Sequence, residues 1–576
     1  MNEKQKHIIT AALPYANGQL HFGHLTGAYL PADIYVGYKR LKNEDVIFIS
    51  GSDEHGAAIE VSAIKEKTTP QVIIDKYHSL NKQIFENLGI NFDIYSRTSN
   101  DSHHEFAKEF FLNLFQKENI LKENESFQFY SEKHNKFLAD RFVKGTCSFC
   151  NYEKASGDHC ENCDKFLNCF ELENPKSVFD PEDKLAVKKT KNLAFRLSFY
   201  KEELQKWTKS HPHWRKSVKS YCKDTIKNGL LDRDITRDLN WGIKVPSSLW
   251  EDKVLYVWFE APIAYISFTK ELLPDTWEDY WKDSNTKLVH FIGKDNISFH
   301  SIFFPAMLMA HGDYVLPTDI PANEFLNVVN NNILLKSIPP EKLIPEKISK
   351  SRGNINILFD KIYNVCDPDT IRYYLTTIMP ETSDANFNET TLVEKHNADL
   401  VGKLGNFVNR TVAFYNNNKD KFPNEWQTAR NGLTDFTVLD LKLKIQEIEK
   451  FLENYNFKLA LIEVMSCVDI ANKFFQDSEP WQTIKTDREL CISDIDFCLN
   501  LCYWLAILIS PFLPFTANKI VDLLGLNQEC LKWENLFGMG VTLSFVKEPK
   551  KIFDHKLSIT PEKWASNKNI LKIEMK

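Results

Sequence analysis

Two histidines three residues apart, His21 and His24, are the first residues in this sequence whose spacing could support chemistry. They flank Gly23 in a segment between a predicted strand and a predicted helix. A helix start presents backbone N–H groups and the positive end of the helix dipole to an anion. Imidazole N–H donors there could stabilise charge that builds on a phosphate oxygen, and Gly23 would let a nucleotide approach the backbone closely. In isolation, two such histidines are structural or surface residues in most proteins.

Two lysines at the same spacing, Lys347 and Lys350, lie on a predicted loop with Ser349, Ser351 and Gly353. Two ammonium groups on such a loop can clamp a polyphosphate and offset its charge in a transition state. A Lys/Ser run considered alone is usually a solvated surface loop.

The twelve cysteines are unevenly distributed, and four of them form two C-x-x-C pairs: Cys147, Cys150, Cys160 and Cys163. Two such knuckles can supply four thiolates to a tetrahedral Zn²⁺. The complete ligand set predicts one closed structural zinc site, with an iron–sulfur centre or a vestige without metal as alternatives. Disulfides are not expected in a chain of this size without a signal peptide.

Elements that could hold these residues together follow from the apolar pattern. Strands are predicted at residues 7–13, 46–50 and 288–292, and helical stretches at 24–41 and 57–67. Strands alternating with helices are typical of a doubly wound parallel sheet, which binds ligands at the carboxyl ends of its strands. The polar clusters near His21 and Asp53 follow strands at that edge.

The rest of the chain changes character twice. Residues from about 120 to 230 carry the cysteine pairs and interrupt the alternation, strand signals return at 254–259, and helical periodicity dominates from about 395. The predicted fold is therefore an α/β, Rossmann-like catalytic core with a zinc-knuckle insertion, followed by an all-α helical bundle. The predicted divisions are the first half of the core (1–118), the insertion (119–230), the second half of the core (231–325), a loop and connector (326–394), a helical domain (395–545) and a short tail (546–576).

Composition sets the class of protein. With 576 residues, 43% hydrophobic and 26% charged, the chain is globular, and its net charge of −7 argues against a generally basic nucleic-acid binder while leaving room for local basic faces. The most apolar stretch, 501–515, is too short to span a bilayer and is broken by Pro511 and Pro514. No signal peptide is evident, so we expect a cytoplasmic protein without a membrane partner.

The two histidines and two lysines together resemble the HIGH and KMSKS signatures of the class I aminoacyl-tRNA synthetases, here as His-Phe-Gly-His and Lys-Ile-Ser-Lys-Ser. Further stretches, Ala12–Tyr15, Asp53–Gly56, Val257–Ile263 and Gly293–His300, are similar to the methionyl-tRNA synthetase family. The resemblance extends from about residue 7 to about 515. It implies ATP-dependent ligation of L-methionine to initiator and elongator tRNA(Met) through a methionyl-adenylate, with Mg²⁺ accompanying ATP and with AMP and pyrophosphate released.

The resemblance also implies roles for individual residues. Catalysis is expected from His21, His24, Lys347 and Lys350. ATP binding is expected from those four with Gly23, Lys294 and Asp295. The methionine pocket is expected to consist of Leu13, Tyr15, Asp53, Trp258, Pro262, Tyr265, Ile297 and His300, with Asp53 pairing the substrate ammonium. Recognition of the CAU anticodon is expected from Asn406, Arg410 and Trp481.

The sequence departs from the family pattern in three places. The segment between Asn327 and Lys347 is longer than the family's connection by roughly a dozen residues, an extension that surface loops tolerate. Ile348 replaces the usual methionine of the second signature, a volume-conserving change. The tail after residue 546 is too short for the oligonucleotide-binding domain that many bacterial relatives append, so we expect a monomer.

Four other interpretations compete with this one. A synthetase for another aliphatic amino acid would carry a large editing insertion, and the cysteine enzyme would use zinc in its amino-acid pocket. A zinc-knuckle tRNA-binding protein without catalysis would not need both ATP signatures. A small-molecule nucleotidylyltransferase would not need the helical residues Asn406, Arg410 and Trp481.

Overall fold

The computed structural model describes residues 4–138, 140–157, 160, 163, 167, 169–328, 346–347, 362–363, 366–422, 432–538, 546–548 and 550–553. The first half of the core contains β1 (Lys6–Ala11), α1 (Phe22–His24), α2 (Leu30–Leu41), β2 (Asp45–Ser52), α3 (Ala57–Glu66), α4 (Pro70–Asn87), β3 (Ile94–Arg97) and α5 (Asp101–Gln116). The insertion contains β4 (Leu121–Ser131), β5 (Lys136–Leu138), β6 (Val143–Cys147), β7 (Ala155–Ser156), β8 (Leu172–Ser177), β9 (Leu185–Phe195), α6 (Lys201–Lys209) and α7 (Lys216–Asn228).

The second half of the core returns to the same sheet. Its elements are β10 (Arg233–Asp234), β11 (Thr236–Arg237), β12 (Val254–Leu255), α8 (Val257–Glu260), α9 (Ala264–Leu272), α10 (Glu278–Trp281), β13 (Lys287–Gly293), α11 (Phe304–His311) and β14 (Ala322–Asn323). A connector follows with β15 (Leu326–Val328), β16 (Glu346–Lys347), α12 (Pro368–Thr377), β17 (Ala385–Phe387) and α13 (Glu389–Lys395). The helical domain holds α14 (Asn406–Asn417), α15 (Gly432–Glu453), α16 (Phe457–Asp477), α17 (Pro480–Thr486), α18 (Arg488–Ile509) and α19 (Pro514–Leu523).

The core is a five-stranded parallel sheet in the order β14-β13-β1-β2-β3. Its central strand β1 is almost completely buried, as a parallel strand covered by helices on both faces must be. Because β1 lies between β13 and β2, the chain segments after all three strands meet at one edge of the sheet. The doubly wound core predicted from the sequence is confirmed.

One predicted strand is wrong. The segment 254–259 has β-forming residues throughout, yet only Val254 and Leu255 pair as β12, and α8 begins at Val257. Val257, Phe259 and Glu260 are buried in the helical turn. Tertiary burial therefore outweighs the β-propensity of this segment.

Two short segments beside the site are π-helical, Leu25–Tyr29 between α1 and α2, and Phe299–Phe303 before α11. Such widened turns are rare and occur frequently at functional sites. Both contribute residues to the same cleft.

The strands of the insertion pair antiparallel, in contrast to those of the core. A four-stranded sheet in the order β10-β9-β4-β5 is dominated by the long β4–β9 pair, and a smaller sheet β7-β6-β8 carries the first cysteine pair. The connector forms a third small sheet, β16-β15-β17.

The helical domain is held against the core by buried polar contacts. The guanidinium of Arg372, in α12, donates to the carbonyl oxygens of Leu88, Pro511 and Phe512 and lies 2.7 Å from a carboxylate oxygen of Asp33. Asp33 and Leu88 belong to the core, and Pro511 and Phe512 belong to the helical domain. Because Arg372 itself lies in the connector, this one side chain joins all three parts.

One helix among the described residues, α18, is long and apolar enough to cross a membrane, but 83% of its most apolar window is buried inside the protein. Nearly all of the stretch 501–513 is buried in this helix and the turn after it. A core helix of a folded domain explains that hydrophobicity.

Candidate active site and metal centre

A cleft of about 1090 Å³ opens at the carboxyl edge of the parallel sheet. Seven of the residues expected to bind substrates line it: Leu13, Tyr15, His21, Gly23, His24, Trp258 and Asp295. The loops after β1 and β13 and the helix α8 therefore converge on one space, as the topology requires.

The two signature histidines cap each other's backbone. His21 is the N-cap of α1, and its Nδ1 accepts from the N–H of Gly23 at 3.1 Å and of His24 at 3.4 Å. The Nδ1 of His24 accepts from the N–H of His21 at 3.2 Å, and the two ring centroids are 3.7 Å apart. An Nδ1 that accepts carries no proton, so each neutral ring keeps its proton on Nε2 as a donor.

Gly23 is required by this arrangement. A Cβ at this position would lie 3.0 Å from two atoms of the His21 ring, a distance at which one of the groups must move. The glycine therefore allows the ring of His21 to fold back over the helix start.

The carboxyl group of Asp53 is buried directly after β2, and one of its oxygens accepts no hydrogen bond from the described residues. Its backbone bonds to the segment after β1, through Pro14 and Ala16, and brings it beside Tyr15. Oδ1 has no hydrogen-bond partner among the described residues. Burial, followed by the nearby carboxylates of Glu260 and Glu54, raises the pKa of Asp53 well above its usual value. A buried acceptor of this kind is costly unless a ligand satisfies it.

Aromatic side chains form the wall next to Asp53. Trp258 stacks on Phe299 with centroids 3.8 Å apart and planes 8° apart, and the Tyr15 ring meets Trp258 edge-on at 6.0 Å. Phe299 did not emerge from the sequence, because nothing in the spacing of the π-helical segment indicates that it faces Trp258.

Behind this wall lies a buried pair of polar side chains. The Tyr265 hydroxyl is 3.0 Å from His300 Nε2, and His300 Nδ1 is 3.1 Å from the Asn296 carbonyl oxygen. Because the carbonyl can only accept, Nδ1 carries the proton and Nε2 accepts from Tyr265. Burial lowers the pKa of His300 to about 4, so this imidazole is neutral at pH 7.

The remaining residues of the expected methionine pocket are placed by their neighbours. Pro262 lies in the 3-10 turn that follows α8, and Ile297 follows the turn Lys294–Asn296; both are buried. Neither residue is among those that line the cleft.

Lys294 and Asp295 occupy different surroundings although they are adjacent. Lys294 lies 2.8 Å from Asp384, 3.0 Å from Glu324 and 4.1 Å from the Phe325 ring centroid. Burial disfavours its charge, but these two carboxylates outweigh burial and raise the pKa of Lys294. Asp295 lines the cleft itself, and a Cβ on Gly293 would lie 2.6 Å from its carboxylate.

The first residue of the second signature, Lys347, is the only one of the five that lies within the described residues. Lys347 pairs with Asn327 in the antiparallel contact of β16 with β15, and Leu326 of β15 lines the cleft. The backbone of Lys347 is thereby brought to the rim of the site. Lys350 lies outside the described residues.

The four predicted cysteines converge in the insertion. Their Sγ atoms all lie within 4.8 Å of one another, with Cys147 and Cys160 buried and the other two partly so. The pairs Cys147–Cys163 and Cys150–Cys160 are 3.9 and 3.6 Å apart. Tetrahedral thiolates at a Zn–S distance of 2.3 Å are separated by about 3.8 Å, so the cluster is compatible with a zinc ion.

The residues expected at the anticodon lie on the helical domain, far along the chain from the cleft. Asn406 begins α14 and is exposed, and Arg410 follows one turn later. The Arg410 guanidinium lies 4.6 Å from the Phe475 ring centroid, and Trp481, 37% exposed, lies 6.4 Å from the same ring. Phe475, missed in the sequence, therefore joins Arg410 and Trp481 in one surface cluster.

A second group that sequence reasoning missed lies under the cleft. Glu260 is completely buried, with its two carboxylate oxygens 2.9 Å from nitrogens of His55 and His103. The sequence offers little indication of this group, because His55, His103 and Glu260 are far apart along the chain. Only the consecutive pair His103 and His104 is unusual.

Known families match the chain over nearly its whole length. A family model described as tRNA synthetases class I (M) matches residues 7–412, and one described as the anticodon binding domain of methionyl tRNA ligase matches residues 428–552. A methionine–tRNA ligase of Bacteroides fragilis is 44% identical over 533 residues, which cover 92% of this chain and 75% of the relative. One of Chloroherpeton thalassium is 41% identical over 575 residues, covering 97% and 78%.

Solved structures show the same fold. The Mycobacterium tuberculosis methionyl-tRNA synthetase in complex with methionyl-adenylate has a TM-score of 0.76 at 24% sequence identity, covering 96% of this chain and all of that chain. The parallel core, the insertion and the helical domain are thus a known arrangement.

The sheet, the reciprocal histidine caps at its edge and the matched family model define a class I aminoacyl-tRNA synthetase. The identities of 41–44% with methionine–tRNA ligases and the matching anticodon domain narrow that class. The chain belongs to the methionyl-tRNA synthetase family, and its activity is the ATP-dependent ligation of methionine to tRNA.

Proposed function

We propose that the cleft forms methionyl-adenylate from L-methionine and ATP and then transfers methionine to the 3′-terminal adenosine of initiator and elongator tRNA(Met). In the first step the methionine carboxylate attacks the α-phosphate in line, and pyrophosphate leaves. In the second step the adenosine hydroxyl attacks the activated carbonyl, and AMP leaves. No covalent bond to the enzyme is needed, so catalysis rests on positioning and charge stabilisation.

The observation that carries the assignment of the amino-acid site is the buried Oδ1 of Asp53, which has no partner among the described residues. A substrate ammonium supplies both the hydrogen bond and the positive charge that this carboxylate lacks. Leu13, Tyr15 and Trp258 line the cleft, the backbone of Tyr15 pairs with that of Asp53, and an apolar, aromatic wall suits a polarisable thioether.

The polar pair behind the wall supports the same assignment. Tyr265 and His300 satisfy each other and leave no charge in the pocket. Pro262 and Ile297 add apolar surface there. A neutral pocket with an anion at one end favours an amino acid that has an uncharged side chain.

The phosphates of ATP are assigned to the two helix-capping histidines and the second signature. The capping bonds of His21 and His24 use Nδ1, and the Nε2–H groups are assigned as donors to phosphate oxygens, with Gly23 giving access to the backbone. Lys347 and Lys350 are assigned to neutralise phosphate charge, and Lys294 and Asp295 to contact the phosphates and ribose. Mg²⁺ enters as the ATP complex and offsets phosphate charge.

The cysteine cluster is assigned to one structural Zn²⁺. All four positions are occupied by cysteine, which leaves no open coordination site for catalysis. The surface cluster of Arg410, Phe475 and Trp481 is assigned, together with Asn406 one turn before Arg410, to the CAU anticodon, because an arginine and an aromatic ring can stack on unpaired bases. A cytoplasmic monomer remains our prediction for the state of the chain.

The experiment that tests this proposal is ATP–pyrophosphate exchange with each of the twenty amino acids, with Asp53→Asn as the central variant. Methionine should give the highest kcat/KM. A higher kcat/KM with any other amino acid would refute methionine as the substrate of the cleft. Asp53→Asn should raise the KM for methionine by roughly 10²- to 10³-fold, because it leaves a buried ammonium unpaired.

A matched control keeps this result specific. Asp75 accepts from Arg97 at the surface and is half exposed. Asp75→Asn should leave the KM for methionine within about twofold, since surface ion pairs contribute little. An unchanged KM in Asp53→Asn would refute the assigned role of Asp53.

A further inference from the structure

Glu260 lies at the centre of a chain of buried polar side chains beneath the cleft. It ends α8, and its side chain is fully shielded from solvent. Oε1 is 2.9 Å from His55 Nδ1, and Oε2 is 2.9 Å from His103 Nε2. Both partners lie on other elements, His55 in the loop after β2 and His103 in α5.

The chain continues from both histidines. His55 Nε2 lies 3.3 Å from His104 Nε2, and the other side of the His104 ring bonds to the Thr98 carbonyl. His103 Nδ1 lies 2.8 Å from the Ser267 hydroxyl in α9. A row of six polar groups, counting both ends, therefore runs from Ser267 to Thr98: Ser267, His103, Glu260, His55, His104 and the Thr98 carbonyl.

Proton counting fixes the direction of every bond if the three imidazoles are neutral. The Thr98 carbonyl can only accept, so His104 carries its proton on Nδ1 and its Nε2 accepts. His55 must then donate from Nε2, which leaves its Nδ1 bare and facing Glu260. Two acceptors cannot bond to each other, so the proton between them belongs to Glu260.

The hydrogen bonds on the other side of Glu260, through His103 to Ser267, run in the same direction. Oε2 of a protonated Glu260 accepts from His103 Nε2–H, and the bare Nδ1 of His103 accepts from Ser267. The Ser267 hydroxyl has an alternative acceptor in the Ala264 carbonyl at 3.3 Å, but His103 is closer. Every donor then meets one acceptor, which is the arrangement a buried network requires.

The surroundings favour these neutral forms. Burial lowers the pKa of His55 and of His104 to about 4 and also lowers that of His103. Burial raises the pKa of Glu260 despite the opposing effect of His103.

We propose that Glu260 is a positioning residue, held as a neutral carboxylic acid in a one-directional hydrogen-bond chain that locks the loop of Asp53 to the helix of Trp258. His55 lies two residues after Asp53, and Glu260 lies two residues after Trp258. Their mutual bond therefore sets the separation between the ammonium-binding carboxylate and the aromatic wall. The functional part of this inference rests on the methionine site proposed above.

A neutral Glu260 also makes it easier for Asp53 to be ionised. After burial, Glu260 is the strongest influence that raises the pKa of Asp53. Two buried carboxylates that repel each other electrostatically disfavour the ionisation of both. With the proton on Glu260, the charge is available to Asp53 when the substrate ammonium arrives.

Replacing Glu260 with glutamine tests the bond directions. An amide donates from its NH₂ group and accepts at its oxygen, so Glu260→Gln reproduces the neutral acid in the same orientation. It should keep kcat/KM for methionine within about threefold in pyrophosphate exchange. Glu260→Ala leaves two buried imidazole nitrogens unpaired and should raise the KM for methionine about tenfold or more, while the KM for ATP changes less than threefold.

A spectroscopic measurement tests the proton without reference to activity. In the infrared difference spectrum of Glu260→Gln against the unmodified enzyme, both saturated with methionine, one carboxylic-acid C=O band should be lost. Glu54→Gln is the matched control, because the buried carboxylate of Glu54 lies 2.9 Å from the Arg97 guanidinium; it should remove no such band.

Two results would overturn the inference. If Glu260→Gln removes no carboxylic-acid band, Glu260 is ionised, whatever the substrate of the cleft. If Glu260→Gln impairs methionine use as severely as Glu260→Ala, the carboxylate charge and not the neutral chain is required. Failure of the methionine site itself would appear separately, as exchange favouring another amino acid with the infrared band intact.

Discussion

His21 and His24 accept each other's backbone N–H through Nδ1, in a reciprocal cap at the start of α1. The usual capping box pairs a hydroxyl with a carboxylate. Here two imidazoles accept the backbone N–H groups instead, and each has an Nε2–H donor that takes no part in the cap. One arrangement thus fixes the ring orientations and supplies two donors where the helix dipole already favours an anion.

Replacing His21 with asparagine should separate these two roles. Asparagine is a good N-cap but has no group equivalent to Nε2–H at the same reach. We expect His21→Asn to lower the rate of methionyl-adenylate formation by roughly 10²-fold while thermal stability hardly changes. Rapid-quench measurement of the activation step and a melting curve provide the two readouts.

His21→Ala is the matched comparison for that variant. It removes both the cap and the donor, so it should add a stability loss of about 1 kcal/mol to the same rate defect. Equal rates in His21→Asn and the unmodified enzyme would remove His21 from phosphate chemistry.

The four-cysteine cluster of the insertion should hold one zinc ion per chain. Metal analysis of the purified protein should give one zinc per chain, and Cys147→Ser should abolish it because Cys147 is a buried member of the cluster. Cys169→Ser is the control, since Cys169 lies outside the cluster and should leave the zinc content at one. A zinc-free protein with intact cysteines would contradict the assignment.

Much of the fold could be predicted because its signals are local. Strands β1, β2 and β13 and the long helices α15 and α16 follow from hydrophobic periodicity, and the cysteine cluster follows from spacing alone. The strand predicted over 254–259 failed because burial on several sides of α8 cannot be distinguished from strand burial by residue type.

The supporting contacts of the site could not be predicted for a different reason. Phe299 against Trp258, and Glu260 against His55 and His103, are pairs separated by tens to hundreds of residues. Only the assembled sheet brings them together. The family resemblance therefore predicted which residues face the ligand, and the structure was needed to show which residues contact them from behind.

Acid should destabilise the protein partly through His300. Burial lowers its pKa from 6.5 to about 4 in the folded state, so between these pH values the unfolded chain binds more protons than the folded one. Stability then rises with pH from about 4 to 6.5 and is retained above. A shift of this size corresponds to about 3 kcal/mol.

Glutamine at position 300 tests this contribution, because it can accept from Tyr265 and donate to the Asn296 carbonyl without titrating. Urea unfolding at pH 4.5 and pH 7 should show a smaller stability difference in His300→Gln than in the unmodified protein, by about 1 to 3 kcal/mol. An unchanged difference would mean that His300 is not the group that titrates.

The cluster on the helical domain should affect tRNA charging without affecting methionine activation. Trp481 is partly exposed and is supported by Phe475, which also carries the Arg410 guanidinium. Loss of one stacked base corresponds to about 1 to 3 kcal/mol, so Trp481→Ala should lower kcat/KM for tRNA(Met) by roughly 10- to 100-fold. Pyrophosphate exchange, measured without tRNA, should stay within twofold. Leu490→Ala, which removes another partly exposed apolar side chain of the same domain, should change neither value, and an equal loss in both assays for Trp481→Ala would indicate a structural role for Trp481.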